Sequence, residues 1–324
     1  MMNAADGDKR KTNLIAICCA VGGTAGFVCH DVLIKALSGG YALHEITFIR
    51  GLVAALVTLL VLMPLDGGYA GLRINNWKIQ LLRAVLAIVS NITFYMALAS
   101  LPIGDATAIF FIAPLVITAA AAILLGEPIG PRRWSAVILG LIGVLLVVRP
   151  GAEAFRLASL LPLAAAVFYG LMQVLTRKLG LRAKASTSSL LLQLTFVAVS
   201  GGIGIGFGDG RYSGSVDPSV AFLTRTWIWP PAGDWPVLAM IGLLSALAAY
   251  LLANAYRLAE AGLVAPFEYV AMPMAIAFGI VLWGDWPALT SWFGILLIGG
   301  SGLYVFMRET WLGKTSRKMP IASG

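Results

Sequence analysis

Apolar runs of 17 to 25 residues, separated by short polar stretches, occupy most of this chain. They predict membrane-spanning helices at Asn13–Leu37, Leu43–Met63, Lys78–Ser100, Asp105–Leu125, Arg132–Val148, Leu157–Leu179, Thr187–Phe207, Pro236–Leu258, Gly262–Trp283 and Pro287–Met307. A span needs about 20 apolar residues. Backbone groups in lipid must be satisfied within the segment, which demands helices here. A β-barrel would show ten-residue alternation instead of continuous runs. The expected fold is therefore all-α and integral to the membrane.

Composition narrows the class further. The 324 residues are 59% hydrophobic and 12% charged, with mean hydropathy +0.88. A water-facing globule needs about 25% charged residues, so no sizeable soluble domain fits. The net charge of +8 does not point to nucleic acid, because the basic residues sit between apolar runs. With the N-terminus in the cytoplasm, seventeen of the 23 basic residues fall on the inner side. Five fall outside, namely Lys35, Arg149, Arg156, Arg211 and Arg225, and Arg50 lies within a span. That asymmetry predicts both termini in the cytoplasm, with tails at 1–12 and 309–324 and a long external loop at 208–235. The nine tryptophans fall at or near predicted span ends, as in an interfacial belt. Cys18, Cys19 and Cys29 share the first span and read as small packing residues.

The chain also repeats itself. The segment from Trp77 matches that from Trp235: Ala106 pairs with Ala265, Pro114 with Pro273, Gly126 with Gly284, Trp134 with Trp292, Gly143 with Gly302 and Arg149 with Arg308. The offset stays at 158 or 159. VLIKAL (Val32–Leu37) likewise matches VLTRKL (Val174–Leu179). The reading is two repeats, 13–150 and 151–308, of five spans each. An odd number of spans inverts the second unit. Inverted repeats characterise secondary transporters, whose substrate site lies between the halves near the midplane.

The blocks LLGEPIG (Leu124–Gly130) and LWGDWPA (Leu282–Ala288), with the opening HDVLIKAL and HEITFIRG (His30–Leu37, His44–Gly51), resemble the EamA-type members of the drug/metabolite transporter superfamily. The opening is similar to members that carry S-adenosylmethionine, carboxylates or riboflavin. The resemblance implies ten helices in a 5+5 arrangement around a central cavity. The second block departs from the usual Gly-Glu by having Gly284-Asp285, at a helix end.

Ionisable groups at membrane depth cost about 2.5–3.5 kcal/mol each on insertion scales, so each needs a reason. Asp31 is a candidate for binding substrate or a proton, or for a local pair with Lys35 one turn on. Its counterpart in the second half is Gln173. Arg50 is expected to pair with a carboxylate, Asp31 or Glu268. Glu268 is a candidate substrate or proton group. Asn91 with Tyr95, Tyr169 with Gln173, and Tyr250 with Asn254 each stand four apart on one helix, and Phe110, Phe111 and Tyr269 add aromatic surface. An aromatic cavity with a few amides suits a flat, moderately polar ligand. Pro114 and Pro273 are expected to bend corresponding helices. Gly22/Gly26 and Gly202/Gly206 read as close helix contacts. His30 reads as a packing residue.

Enzyme chemistry finds little support. His44-Glu45 would open a zinc-protease motif, but position 48 is Phe. With two histidines, no G-x-S-x-G and no phosphate-binding loop, no metal, cofactor or catalytic residue is expected. The expected function is secondary transport of a small organic metabolite across the bacterial inner membrane, with the lipid bilayer and a substrate as partners and protons as a candidate coupling ion. Uptake of a heterocycle such as riboflavin leads. Export of amino acids or drugs is the alternative, and an intramembrane enzyme a remote one.

Overall fold

The computed structural model describes residues 4–65, 68–69, 77–126, 130–149, 156–179, 185–258 and 264–316. Residues 127–129 of the LLGEPIG block and the basic loop residues Arg73, Arg182 and Lys184 lie outside that set. All regular structure among the described residues is helical. Twelve helices of at least seven residues are labelled here. The first half holds α1 (Ala4–Leu37), α2 (Leu43–Val57, continued by a π-turn over Thr58–Leu62), α3 (Trp77–Ser100), α4 (Ile103–Phe110), α5 (Ala113–Leu125) and α6 (Pro131–Val148). The second holds α7 (Leu160–Leu179), α8 (Ala185–Phe207), α9 (Pro218–Thr224), α10 (Trp235–Leu258), α11 (Ala271–Trp283) and α12 (Leu289–Ser316). A 3₁₀ segment, Ala265–Val270, runs into α11.

Among the described residues, seven helical stretches are long and apolar enough to cross a membrane. Shorter apolar helices at Trp134–Val148, Phe267–Trp283 and Leu289–Ser301 fall where the fifth, ninth and tenth spans are expected. The surface is inverted relative to a soluble protein: Ile205 is 87% exposed, Val281 78%, Ile123 73% and Leu296 68%. Such a surface needs lipid around it. The chain is an all-α, multi-pass membrane protein. One boundary moves. α1 starts at Ala4 rather than Asn13, because Lys9–Lys11 are good helix formers that continue the helix beyond its apolar stretch.

Both prolines lie just past a change in helical geometry. A proline lacks the N–H that would bond four residues back, and its ring crowds that carbonyl. The fourth span breaks at Phe111–Ile112 and restarts with Pro114 in the first turn of α5. In the second half the 3₁₀ segment gives way to α-helix at Ala271, two residues before Pro273. The twin blocks also end alike. Gly126 (φ 68°) and Gly284 (φ 69°) cap α5 and α11 in the left-handed region, which glycine enters without a Cβ clash.

Helices from the two halves interlock. α1 packs along α10, α3 along α7, α2 along α8 and α6 along α12. Small residues set the spacing. A Cβ on Gly23 would lie 2.9 Å from Ala248 O, and one on Gly143 would lie 2.8 Å from Gly294 O. Glycine in α8 corrects the sequence expectation: Gly202 and Gly206 have nothing within 4 Å. The contacting face is Gly201, Gly204 and Gly208, against Phe48 and Trp227. Helix rotation, which spacing alone leaves open, decides between these faces.

The long loop packs down on the end of the bundle that carries Lys35. Asp217 caps α9 by accepting from Ser219 N at 2.8 Å and Val220 N at 3.2 Å, and Phe222 is fully buried. Trp227 wedges against His44 (5.6 Å between ring centres) and Phe48 (5.4 Å). Arg225 Nη1 donates to Ser38 O at 2.7 Å and Tyr41 O at 3.1 Å. Tyr41 donates to Asp234, and burial together with that carboxylate pushes its hydroxyl up to about 12, so it stays a donor. Arg225→Ala is expected to loosen this cap. Hydrogen bonds from a charged group contribute about 1.5–3 kcal/mol. Limited proteolysis within 208–217 should accelerate roughly tenfold on that scale; an unchanged cleavage rate would show that Arg225 does not hold the loop.

Candidate functional site

The middle of α2 is squeezed between two helices of the other half. A Cβ on Gly51 would meet Val197 Cγ2 at 2.9 Å, and one on Gly242 would meet Arg50 O at 3.0 Å. These close approaches bring Phe196 of α8 over the Arg50 guanidinium, 4.3 Å from its ring centre. A cation on an aromatic face is favourable, more so when desolvated, and Arg50 is 3% exposed.

Among the described residues Arg50 bonds no carboxylate directly, in contrast to the pairing expected with Asp31 or Glu268. Its Nη1 donates to Tyr95 Oη at 2.7 Å and to His30 Nε2 at 3.3 Å. His30 Nδ1 lies 2.9 Å from Asp31 Oδ1. The imidazole thus stands between cation and carboxylate, and the residue read as packing is the bridge. Its one sequence signal was adjacency to Asp31 in a span. Lys35 does not close a pair with Asp31 either. It reaches the end of α3, donating to Leu98 O at 3.0 Å and Leu101 O at 2.6 Å, with its Nζ over the Trp283 ring. Carbonyls at a helix C-terminus attract a cation, and a lysine near the membrane edge reaches them by snorkelling.

Two of the three four-residue spacings become hydrogen bonds. Tyr95 Oη donates to Asn91 Oδ1 at 2.8 Å, and Gln173 Nε2 donates to Tyr169 Oη at 2.8 Å. Rings then run on from the polar group. Tyr95 meets Phe94 at 6.2 Å, Phe94 meets Phe110 at 5.0 Å, and Phe110 meets Tyr169 at 5.5 Å. Phe111 contacts Tyr269 at 5.3 Å. Glu268 lies close enough to Tyr169 and Tyr269 to act on both electrostatically. The Tyr269 hydroxyl is buried with no hydrogen-bond partner among the described residues.

The structure therefore gathers Asp31, Arg50, Asn91, Tyr95, Phe110, Tyr169, Gln173, Glu268 and Tyr269 along one track. It leaves Tyr250 elsewhere, packed against Ala54, Leu62 and Ala246, and Asn254 is half-buried one turn further along α10. Pro114 lies on an exposed face of α5 and Pro273 on an exposed face of α11, so both act through the helix break and not by lining. A groove of about 220 Å³ between α6 and α12, lined by residues such as Leu139, Leu296 and Tyr304, holds no charged side chain and is separate from this track. Sequence reasoning passed over Glu45 as part of a failed zinc motif. It is fully buried at the loop end, where Ile228 N donates to its Oε2 at 3.3 Å.

Comparison with known proteins places the chain. The family model of EamA-like transporters matches residues 14–149. The riboflavin transporter of Rhizobium johnstonii is 28% identical over 75% of this chain and 74% of its own length. That of Vibrio cholerae is 29% identical over 82% of each. Residues 14–149 thus match the EamA-like transporter family, and over most of its length the chain is similar to transporters of the drug/metabolite superfamily. A pseudopaline exporter of Pseudomonas aeruginosa is 24% identical over 83% of this chain and 88% of its own. The fold matches a protein solved by crystallography, with a TM-score of 0.61 at 18% identity over 93% of this chain and 99% of that one. The family and these relatives are transporters, not enzymes, and this chain, similar to them over most of its length, is a small-molecule transporter.

Proposed function

We propose that this protein takes up a flat heterocyclic metabolite, riboflavin or a close chemical relative, across the bacterial cytoplasmic membrane. Two five-helix units, 13–150 and 151–308, exchange access to a site between them, with both termini and the tails 1–12 and 309–324 cytoplasmic and the loop 208–235 outside. The carrying observation is the track of rings from both halves, Phe94–Phe110–Tyr169 and Phe111–Tyr269, continuous with the Arg50–Tyr95–Asn91 bonds. Aromatic faces stack a planar ring system, and the amides, hydroxyls and guanidinium offer partners to its ring carbonyls and nitrogens.

The helix pairing supports the inverted reading. Under the 158–159 offset α3 corresponds to α10. The VLIKAL–VLTRKL match makes α1 correspond to α7. Packing of α1 on α10 is then the image of packing of α7 on α3. The family match over 14–149 supports the first boundary. The loop, held on the Lys35 end, fits an outer cap.

Glu268→Gln is expected to keep expression and to lower riboflavin uptake in reconstituted vesicles at least about tenfold, the loss of one charged contact of roughly 1.4 kcal/mol or more. Wild-type uptake in that variant would remove Glu268 from the site. Export is the second reading, favoured by the likeness to the pseudopaline exporter. Loading inside-out vesicles separates the two directions.

A further inference from the structure

The bonds around Arg50 assign every proton near it. A guanidinium only donates, so the 3.3 Å contact with His30 Nε2 requires a lone pair on that nitrogen. The neutral imidazole then carries its proton on Nδ1, facing Asp31 Oδ1 at 2.9 Å. On the other side, Nη1 donates to Tyr95 Oη, whose own proton goes to Asn91 Oδ1. His30 is 1% exposed while Asp31 is 22% exposed, so the carboxylate is the member within reach of water. Arg50 Nε is buried with no hydrogen-bond partner among the described residues.

On the imidazole, one further proton has one place to go, Nε2. There it faces Arg50 Nη1. Two N–H donors and two positive charges repel at such a separation in a site shielded from water. Protonation of His30 and the His30–Arg50 contact therefore exclude each other.

We propose that the His30–Asp31 pair is the proton-binding element of this transporter, and that its protonation releases Arg50 and unlatches α1 from α2 and α3. The inference rests on the transport reading above. A proton is taken up on His30 Nε2 as its contact with Arg50 opens, and the resulting imidazolium is held through Nδ1–H by the Asp31 carboxylate. No other bond forms or breaks, and the same proton leaves to water on the opposite side. The released Arg50 offers its guanidinium, Nε included, to an oxygen of a substrate stacked on the adjoining rings. Proton and substrate are thus held in the same state, which gives symport.

The titratable and charged residues on the elements around α1 include His44, Glu45 and Arg50 on α2, Lys78, Arg83 and Tyr95 on α3, Tyr250 and Arg257 on α10, and Glu268 and Tyr269 in the 3₁₀ segment, with Asp285 beyond α11 near Lys35. Those in contact with His30 are Asp31, Arg50 and Tyr95.

The chain has only two histidines, so His44→Asn leaves His30 alone for nitrogen-15 NMR of the full chain in nanodiscs, with no substrate needed. The expected spectrum is the Nδ1–H tautomer at alkaline pH. A second proton should appear as pH is lowered over the range in which the protein stays folded, and Asp31→Asn should weaken proton binding. An imidazole that stays neutral across that range in folded protein overturns the proposal. In vesicles with riboflavin as probe, His30→Gln can keep both hydrogen bonds but cannot carry the charge. Accumulation in this variant is therefore read as a ratio to its own riboflavin counterflow. Accumulation driven by a pH gradient, about tenfold per unit for one proton per substrate, should disappear. Undiminished gradient-driven accumulation in His30→Gln also overturns the proposal. Absence of riboflavin counterflow in the wild type would reject the substrate reading instead, and the spectrum would still decide the proton site.

Discussion

Arg50→Leu is expected to abolish transport and to destabilise the protein by about 3–5 kcal/mol, the usual cost of removing one member of a buried charged group. The substitution deletes the donor to both Tyr95 Oη and His30 Nε2, and leaves Asp31 with no cation behind its imidazole. It also leaves a hydroxyl and a ring nitrogen buried without their partner. Arg50→Lys is expected to fail as well, with a smaller loss of stability. The ammonium keeps the charge but not the planar guanidinium, whose central carbon lies 4.3 Å from the Phe196 ring centre. Thermal unfolding in detergent together with riboflavin counterflow reads both variants. Wild-type flux in Arg50→Leu would dismiss the polar network as the working site.

Gly143→Leu is expected to prevent correct assembly of α6 on α12, whereas Gly202→Leu should be nearly silent. At Gly143 a Cβ meets Gly294 O at 2.8 Å, Ile298 Cγ1 at 2.9 Å and Leu297 Cβ at 3.0 Å. The reciprocal site is as tight: a Cβ on Gly294 meets Val147 Cγ2 at 2.6 Å. One obstacle on each side is backbone, which cannot rotate away, so the helices must separate. In lipid, separation is not opposed by the hydrophobic effect, because tails replace the lost contacts, and close packing is what holds the pair. Overpacking costs about 1–3 kcal/mol where side chains can adjust and more where backbone is struck. Gly202 has open space around it. The measurement is the monodisperse yield on size exclusion after detergent extraction. A Gly143→Leu yield equal to that of Gly202→Leu would refute the close α6–α12 approach.

Several local features could be read directly from the residues. The apolar runs required helices because lipid offers the backbone no hydrogen bonds. Pro114 pointed to a disturbance in its helix, and the twin Gly blocks to a helix end, which the structure closes with left-handed glycines at 126 and 284. The pairs Asn91/Tyr95 and Tyr169/Gln173 could be read as neighbours, since residues four apart on a helix touch. Each of these follows from interactions within one helix, whose geometry does not depend on what packs against it.

What crosses between helices was another matter. The partner of Arg50 is His30, 20 positions away, and the alternatives Asp31 and Glu268 were equally compatible with the spacing. Lys35 turns to carbonyls 63 and 66 residues on, in preference to the carboxylate one turn before it. The contact face of α8 is Gly201–Gly204–Gly208 and not Gly202–Gly206, and the loop after α8 folds back as a cap. These outcomes depend on how far each helix is rotated about its axis. That rotation is a balance of many small packing terms summed over all neighbours, so no single stretch of residues carries it. Composition and periodicity alone determined that this is a helical membrane protein. Which buried charge meets which partner was decided only when the helices were brought together.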